Sequence, residues 1–274
     1  RSRTIDSIFN EAKMLVNNGV KELVLVAQDI AWYGRDVQAQ ETLSDVMREI
    51  NKLRFDGLEV QRLVYIYPSE LKGDLLETIL SLETSVPYFD LSLQHAHPEL
   101  LRHMKRPGSS EKFLELIGTI RSEKPEAVFR SNFIVGFPGE TEEHHDELLN
   151  FVEKADLTWT GFFPYSHEKD TAAYTYSDQV DPELAQTRTR ELQRAQDSIT
   201  QRLLLESVGT TQKIMIDSVS ADGLINGRGF DSAPEIDGVI YARNENGSNG
   251  PGDFLEVEIT EVSGVDRHGI VSIS

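Results

Sequence analysis

The sequence predicts an α/β protein: a parallel sheet or barrel, then a small antiparallel β-barrel. Three observations predict it. Apolar strand-like runs alternate with helical stretches over the first two-thirds of the chain. After Val208-Gly209 the texture shifts to short β-like runs punctuated by Gly and Asn. At 274 residues, with 39% hydrophobic and 27% charged residues, the chain is long enough for a large core and two domains.

A helix over 4–18 ends at Gly19, a natural C-cap. Strand ELVLVA (22–27) follows it. Helices near 41–53 and 70–83 precede strands RLVYIY (62–67) and YFDLSL (88–93). Helical stretches near 98–104 and 110–124 precede strand VFRSNFIVGF (128–137). A helix near 141–154 precedes TWTGFFPY (158–165), and a long helix over 181–206 closes the series. Strands linked by helices argue for parallel pairing. The series opens on a helix, so the expectation is a fragment cut after a first strand and loop. The second part offers KIMIDSV (213–219), LING (224–227), GVIYA (238–242), DFLEVEIT (253–260) and GIVSI (269–273), separated by turn clusters such as 221–223 and 246–252. The domains expected are 1–206 and 207–274.

Composition excludes several function classes. There is no cysteine, hence no disulfide, thiolate nucleophile or cysteine metal site on this chain. No apolar stretch approaches membrane-spanning length and no secretory signal is evident, which points to the cytoplasm. The net charge of −19 suits a basic protein partner better than a phosphate backbone.

The stretch FIVGFPGETEE (133–143) carries the chemistry-bearing turn. Phe133, Ile134 and Val135 read as a buried strand. Gly136 and Gly139 permit backbone angles and close approaches that a side chain blocks. Thr141 can cap the following helix, with Glu142 and Glu143 in its first turn. An ordinary tight turn and a ligand cradle fit these residues equally. Gln28, Gln94 and Tyr165 also sit at strand ends, where barrels place their active face. Arg130 lies within a strand and needs a partner, either a ligand carboxylate or an internal salt bridge. His95 and His97 lack a third ligand for zinc, and His144 and His145 are adjacent on a helix and point apart, so no metal is expected.

The segments LVLVAQDIAWYG (23–34), YFDLSLQHAHPELLRHMKRPGSS (88–110), SNFIVGFPGETEE (131–143), FFPYSHEKDTAA (162–173) and RGFDSAPEIDGVIY (228–241) together resemble the radical SAM methylthiotransferases. That resemblance implies a partial six-stranded (β/α) barrel followed by a small β domain called TRAM. In the family a Cys-x-x-x-Cys-x-x-Cys loop lies close before a segment like Arg1-Ser2-Arg3. It implies S-adenosylmethionine as cofactor and two four-iron four-sulfur clusters in the full-length enzyme, with none on this cysteine-free chain and no activity from it alone. In the family's reaction a radical derived from S-adenosylmethionine abstracts hydrogen and a methylthio group is installed. The cofactor-binding positions implied are Gln28, Gln94, Arg130, Ile134, Val135, Gly136, Gly139, Glu140 and Tyr165. Glu140 is expected as a helix cap or ribose-side contact.

Gln94-His95, Met104–Gly108 and Ala233–Gly238 resemble the ribosomal-protein (RimO-like) branch, which modifies an aspartate β-carbon. Residues 207–274 hold eleven acidic and four basic residues, a balance of −7 that fits a basic small-subunit ribosomal protein as partner and makes tRNA an unfavourable one. The alternatives are the tRNA-modifying (MiaB-like) branch and a protein-binding module without activity. The sequence does not reveal the reducing partner.

Overall fold

The computed structural model describes residues 1–37, 40–243 and 249–272, and its elements follow the predicted alternation. The turn residues 246–248 and residue 273 of the last predicted strand lie outside the described residues. In chain order come α1 (Ile5–Asn17), β1 (Glu22–Val26), α2 (Leu43–Asn51), β2 (Val60–Val64), α3 (Gly73–Ser81), β3 (Tyr88–Gln94), α4 (Pro98–His103), α5 (Ser110–Glu123), β4 (Val128–Val135), α6 (Glu142–Ala155), β5 (Trp159–Pro164) and α7 (Pro182–Leu205). Five further strands follow: β6 (Thr211–Val219), β7 (Leu224–Arg228), β8 (Ile240–Arg243), β9 (Phe254–Ser263) and β10 (Asp266–Val271).

Strand β2 ends earlier than its apolar run suggests. Tyr65 takes the left-handed conformation (φ 61°), which an extended strand cannot continue through. Capping chemistry sets several helix starts. The Thr4 hydroxyl accepts the Ser7 amide, and Thr42 and Asp45 form a reciprocal capping box at α2.

The chain divides into two compact units. One comprises 1–65, 71–89 and 201–274; the other comprises 66–70 and 90–200. In the first, β1 pairs β2 in parallel. Ala12 and Val16 of α1 and Val46 and Ile50 of α2, each pair four residues apart, bury one helical face against Leu23, Leu53 and Leu58. In the second, the strand order is β3-β4-β5, with β4 and β5 parallel.

The first unit also holds the closed barrel, in the order β10-β8-β7-β6-β9. Alternate residues of its strands (Ile214, Ile216, Ile225, Ile240, Ala242, Val257, Ile259) fill its interior. The antiparallel expectation needs one correction: β10 pairs β8 in parallel. Five strands in a closed ring cannot all alternate in direction, so one parallel seam is unavoidable.

A buried ionic network ties this barrel to the β1–β2 sheet within the same unit. The Glu22 carboxylate accepts Arg62 Nε at 2.9 Å and also Arg228 Nη1. Arg62 further donates to the Phe230 carbonyl (2.8 Å) and lies over the Tyr88 ring. Arg228 also pairs with Asp217. The Tyr88 hydroxyl donates to Asp237, whose carboxylate accepts the Ala233 amide and so shapes the 233–238 motif.

Removing Glu22 takes the carboxylate from the buried Arg62 guanidinium and leaves Arg228 with Asp217. Glu22→Ala should therefore destabilise the protein by about 3–5 kcal/mol, and adding Arg62→Met should recover part of that loss. Urea-unfolding midpoints of the single and double variants check this.

Candidate functional site

The second unit presents a row of half-buried residues along one face of β4, running toward its carboxyl end. On β4 the even positions Arg130, Asn132 and Ile134 are half-buried, while Phe129, Ser131, Phe133 and Val135 are buried on the opposite face. Arg130 donates to Asp90 Oδ1 of β3 at 2.9 Å and to Asn132 Oδ1 at 3.3 Å, which puts all three on one face. Across the β4–β5 pairing Asn132 meets Gly161 and Ile134 meets Phe163. A Cβ on Gly161 would lie 2.7 Å from Asn132 Oδ1 and 2.9 Å from the Phe163 ring, so glycine makes room for both. Ile134 and the 55% exposed Phe163 form an apolar shelf, with a polar cluster of Asp90, Arg130 and Asn132 behind it.

Gln94 ends β3 with φ 68°, an uncommon conformation for a residue with a side chain and one that clusters at functional sites. Its amide makes no hydrogen bond among the described residues. Tyr165, just beyond β5, donates its amide to the Val135 carbonyl (2.7 Å) and packs edge-on against Phe137. Its hydroxyl is buried without a partner.

The 136–140 turn is held tightly. Gly136 (φ 75°) and Gly139 (φ 87°) need glycine for conformation alone. A Cβ at Gly136 would also run into the Cβ of Ala185 on α7, so this glycine serves helix packing. At Gly139 a Cβ would make only ordinary contact with the His103 ring. The Gly139 amide donates to the Asp178 carbonyl at 2.7 Å. Thr141 caps α6 by accepting the His144 amide.

Glu140 lies at the centre of the turn and is buried. Its Oε2 accepts the Gly136 amide at 2.7 Å and its Oε1 accepts Arg188 Nη1 at 2.9 Å. Burial pushes its pKa up, but His95, the Gly136 amide and Arg188 outweigh burial and hold it below the usual carboxylate value. His95 is fully buried. Its Nδ1 accepts the His97 amide (3.0 Å), so the neutral ring carries its proton on Nε2, 3.7 Å from Glu140 Oε2 and without a hydrogen-bond partner. Burial depresses the His95 pKa, with Glu140 opposing.

Three of the sequence-predicted residues have internal partners. Arg130 is engaged in an internal salt bridge with Asp90. Gly136 is occupied by α7. Glu140 has internal partners in the Gly136 amide and Arg188. Gln28 belongs to the other unit, exposed in the turn after β1, where with Leu23, Leu25, Trp32 and Tyr33 it lines a cavity of about 800 Å³. Ser166 is exposed. In the 105–108 loop Arg106 donates to the Ser92 carbonyl and lies over Tyr67, a structural use of the charge.

His97, Glu99 and His144 bring candidate ligand atoms within 4.8 Å of one another, a cluster that sequence spacing did not suggest. However, His97 Nδ1 accepts the Glu99 amide and His144 Nδ1 accepts the Thr141 amide. Their protons therefore sit on Nε2, facing Glu147 at 3.4 Å and Glu99 at 3.7 Å. A cation would need those lone pairs. The arrangement is one of histidine–carboxylate pairs at two helix starts.

Asn132 was legible as the residue two beyond Arg130 on the same strand face. Arg188 and Ala185 carried no local signal, because their partners lie more than forty residues away.

The comparisons agree with this architecture. A model of the radical SAM superfamily matches residues 1–152, just over half the chain, and a TRAM domain model matches residues 208–271. The chain is 39% identical over 271 residues to a protein of Thermotoga petrophila named ribosomal protein uS12 methylthiotransferase RimO, covering 99% of this chain and 62% of the relative. Proteins of the same name from Aquifex aeolicus (38% identity, 98% of this chain, 62% of the relative) and Rippkaea orientalis (37%, 98% and 59%) are also similar. The chain thus spans about three-fifths of the length of the curated relatives it matches. Among solved structures, coproporphyrinogen III oxidase of Escherichia coli, a radical SAM enzyme, shares the fold with a TM-score of 0.51 at 14% identity, over 93% of this chain and 60% of that one.

Gly136→Ala adds a clash and a disfavoured φ together, so it should destabilise by about 2–4 kcal/mol. Ala185→Gly in the same chain should restore the steric part, read as a partial return of the unfolding midpoint. Acid should also weaken the fold. His95 is held neutral, with its pKa below 6.5 in the folded state, so the unfolded chain binds more protons and stability falls as pH drops through about 6.5. His144, depressed by burial and His97, adds to this, and Glu140 adds a further loss below about 4.5. His95→Gln should flatten the decline of the urea midpoint between pH 7 and pH 5.5.

Proposed function

The chain belongs to the radical SAM superfamily, and on that premise we propose that it is part of a methylthiotransferase that modifies a ribosomal protein. The observation that carries this is identity of 37–39% across nearly the whole chain to proteins named for that activity on uS12. The proposed division of labour is a radical SAM part, 1–206, and a TRAM part, 207–274. The two family matches fall on either side of that boundary.

The residues of the second unit fit S-adenosylmethionine in part. The Ile134–Phe163 shelf suits an adenine face, with the Val135 and Gly139 backbone beside it. The Gln94 amide and the unpartnered Tyr165 hydroxyl offer polar contacts. Arg130, Gly136 and Glu140 act by shaping the site. Gln28, in the first unit, keeps its role by family resemblance alone. When bound, S-adenosylmethionine with a four-iron four-sulfur cluster supplies the radical chemistry. The chain has no cysteine, so it offers no thiolate to such a cluster. We infer that by itself it does not perform the reaction.

The partner we assign is a basic small-subunit ribosomal protein, met in the cytoplasm. No helix among the described residues is long and apolar enough to cross a membrane. Two of the four basic residues in 207–274, Arg228 and Arg267, are buried in pairs with Glu22, Asp217 and Asp231. The exposed charge of that domain is therefore more one-sided than its composition, which repels RNA and attracts a cationic protein. Titrating the chain against ribosomal protein uS12 and unmodified tRNA at low and high salt tests this. Binding to the protein that weakens with salt is expected; tight, salt-sensitive binding to tRNA with none to uS12 would move the assignment to the tRNA-modifying branch.

A further inference from the structure

Helix α7 follows the last parallel strand and contributes nothing to the strand-end face directly. Yet it and the segment before it grip the 136–140 turn at three points. The Asp178 carbonyl accepts the Gly139 amide. Ala185 fills the space beside Gly136. Arg188, itself only 5% exposed, donates to Glu140 Oε1 (2.9 Å), to the Glu140 carbonyl (3.3 Å) and to Glu142 Oε2 (2.8 Å). Glu140 passes this on: its other oxygen fixes the Gly136 amide, and it faces the orphaned Nε2 proton of His95, the neighbour of Gln94. One carboxylate therefore connects the carboxyl ends of β3 and β4 with α7.

We infer that Arg188 is a positioning residue for the cofactor: by fixing the Glu140 carboxylate it sets the backbone of the 136–140 turn against which S-adenosylmethionine binds. This rests on the assignment of that turn to S-adenosylmethionine. A buried carboxylate without its guanidinium must rotate toward another donor or take up a proton, and either change releases the Gly136 amide. Lysine keeps the charge but loses the planar fork that reaches the Glu140 side chain, its carbonyl and Glu142 together.

The test uses the 274-residue chain with Arg188→Ala, Arg188→Lys and Glu142→Gln. Calorimetric titration with S-adenosylmethionine gives affinity, and hydrogen exchange by mass spectrometry follows peptides covering 133–140 and, as a control, 113–121 in α5. For Arg188→Ala, affinity should fall about tenfold. Exchange should rise in 133–140 and stay unchanged in α5. Arg188→Lys should recover part of both, and Glu142→Gln, which keeps an acceptor for Arg188, should lower affinity less than Arg188→Ala does. Faster exchange in 133–140 with unaltered affinity would make Arg188 a purely structural residue and overturn the inference. Exchange rising equally in α5 would show general unfolding and overturn it too. If the unsubstituted chain fails to bind S-adenosylmethionine while its exchange pattern is intact, the cofactor assignment itself fails and the inference falls with it.

Discussion

Much of the first unit depends on a single carboxylate kept out of water. Glu22 sits on β1, yet its two oxygens hold guanidiniums from β2 and from the barrel strand β7. Burying three charges is costly, and the pairing offsets that cost only while all of them stay in register. The arrangement is thus weak as a source of stability and strong as a source of specificity: the barrel has one way to lie on the β1–β2 sheet. The polar couplings around it, Arg62 to the Phe230 carbonyl and Tyr88 to Asp237, work to the same register.

The second unit repeats this logic where β3 and β4 end. Apolar packing alone would leave the strand ends and their glycine turn free to rearrange. Glu140, Arg188 and His95 remove that freedom with polar groups that are themselves buried. The cost shows in the unpartnered nitrogens of His95 and Arg188. Gln94 with its left-handed backbone shows it too, a local strain that persists only because the surroundings over-determine it. Beside this rigid frame, Phe163 is left exposed and the hydroxyl of Tyr165 has no partner.

The strands and helices were legible in the sequence because each is a short apolar run or a capped stretch whose signal is local. Thr141 and the glycine turn could be read the same way. The end of β2 could not, since the left-handed Tyr65 leaves no mark in an apolar run. Nor could the fate of Arg130, Gly136 and Glu140. Arg130 was visible as a residue needing a partner, Gly136 as a close-approach glycine and Glu140 as a helix cap or ribose-side contact, but the residues that meet them (Asp90, Ala185, Arg188) are brought in by the tertiary fold. The histidine cluster shows the converse. Residues scattered at 97, 99 and 144 converge only because α4 and α6 start side by side, and even then the tautomers, set by backbone amides, decide what the cluster can do.

The odd number of strands in the barrel bears on how the ring is assembled. Strand β10 inserts between β8 and β9, and one of its two seams is parallel. Hairpins formed between sequence neighbours cannot produce that seam. Without that seam, β8-β7-β6-β9-β10 is an open ribbon whose bare edges are β8 and β10, a shape prone to pairing with foreign strands. Closure thus depends on a non-local pairing, whereas β10 reaches β9 through a hairpin across Gly264 and Val265.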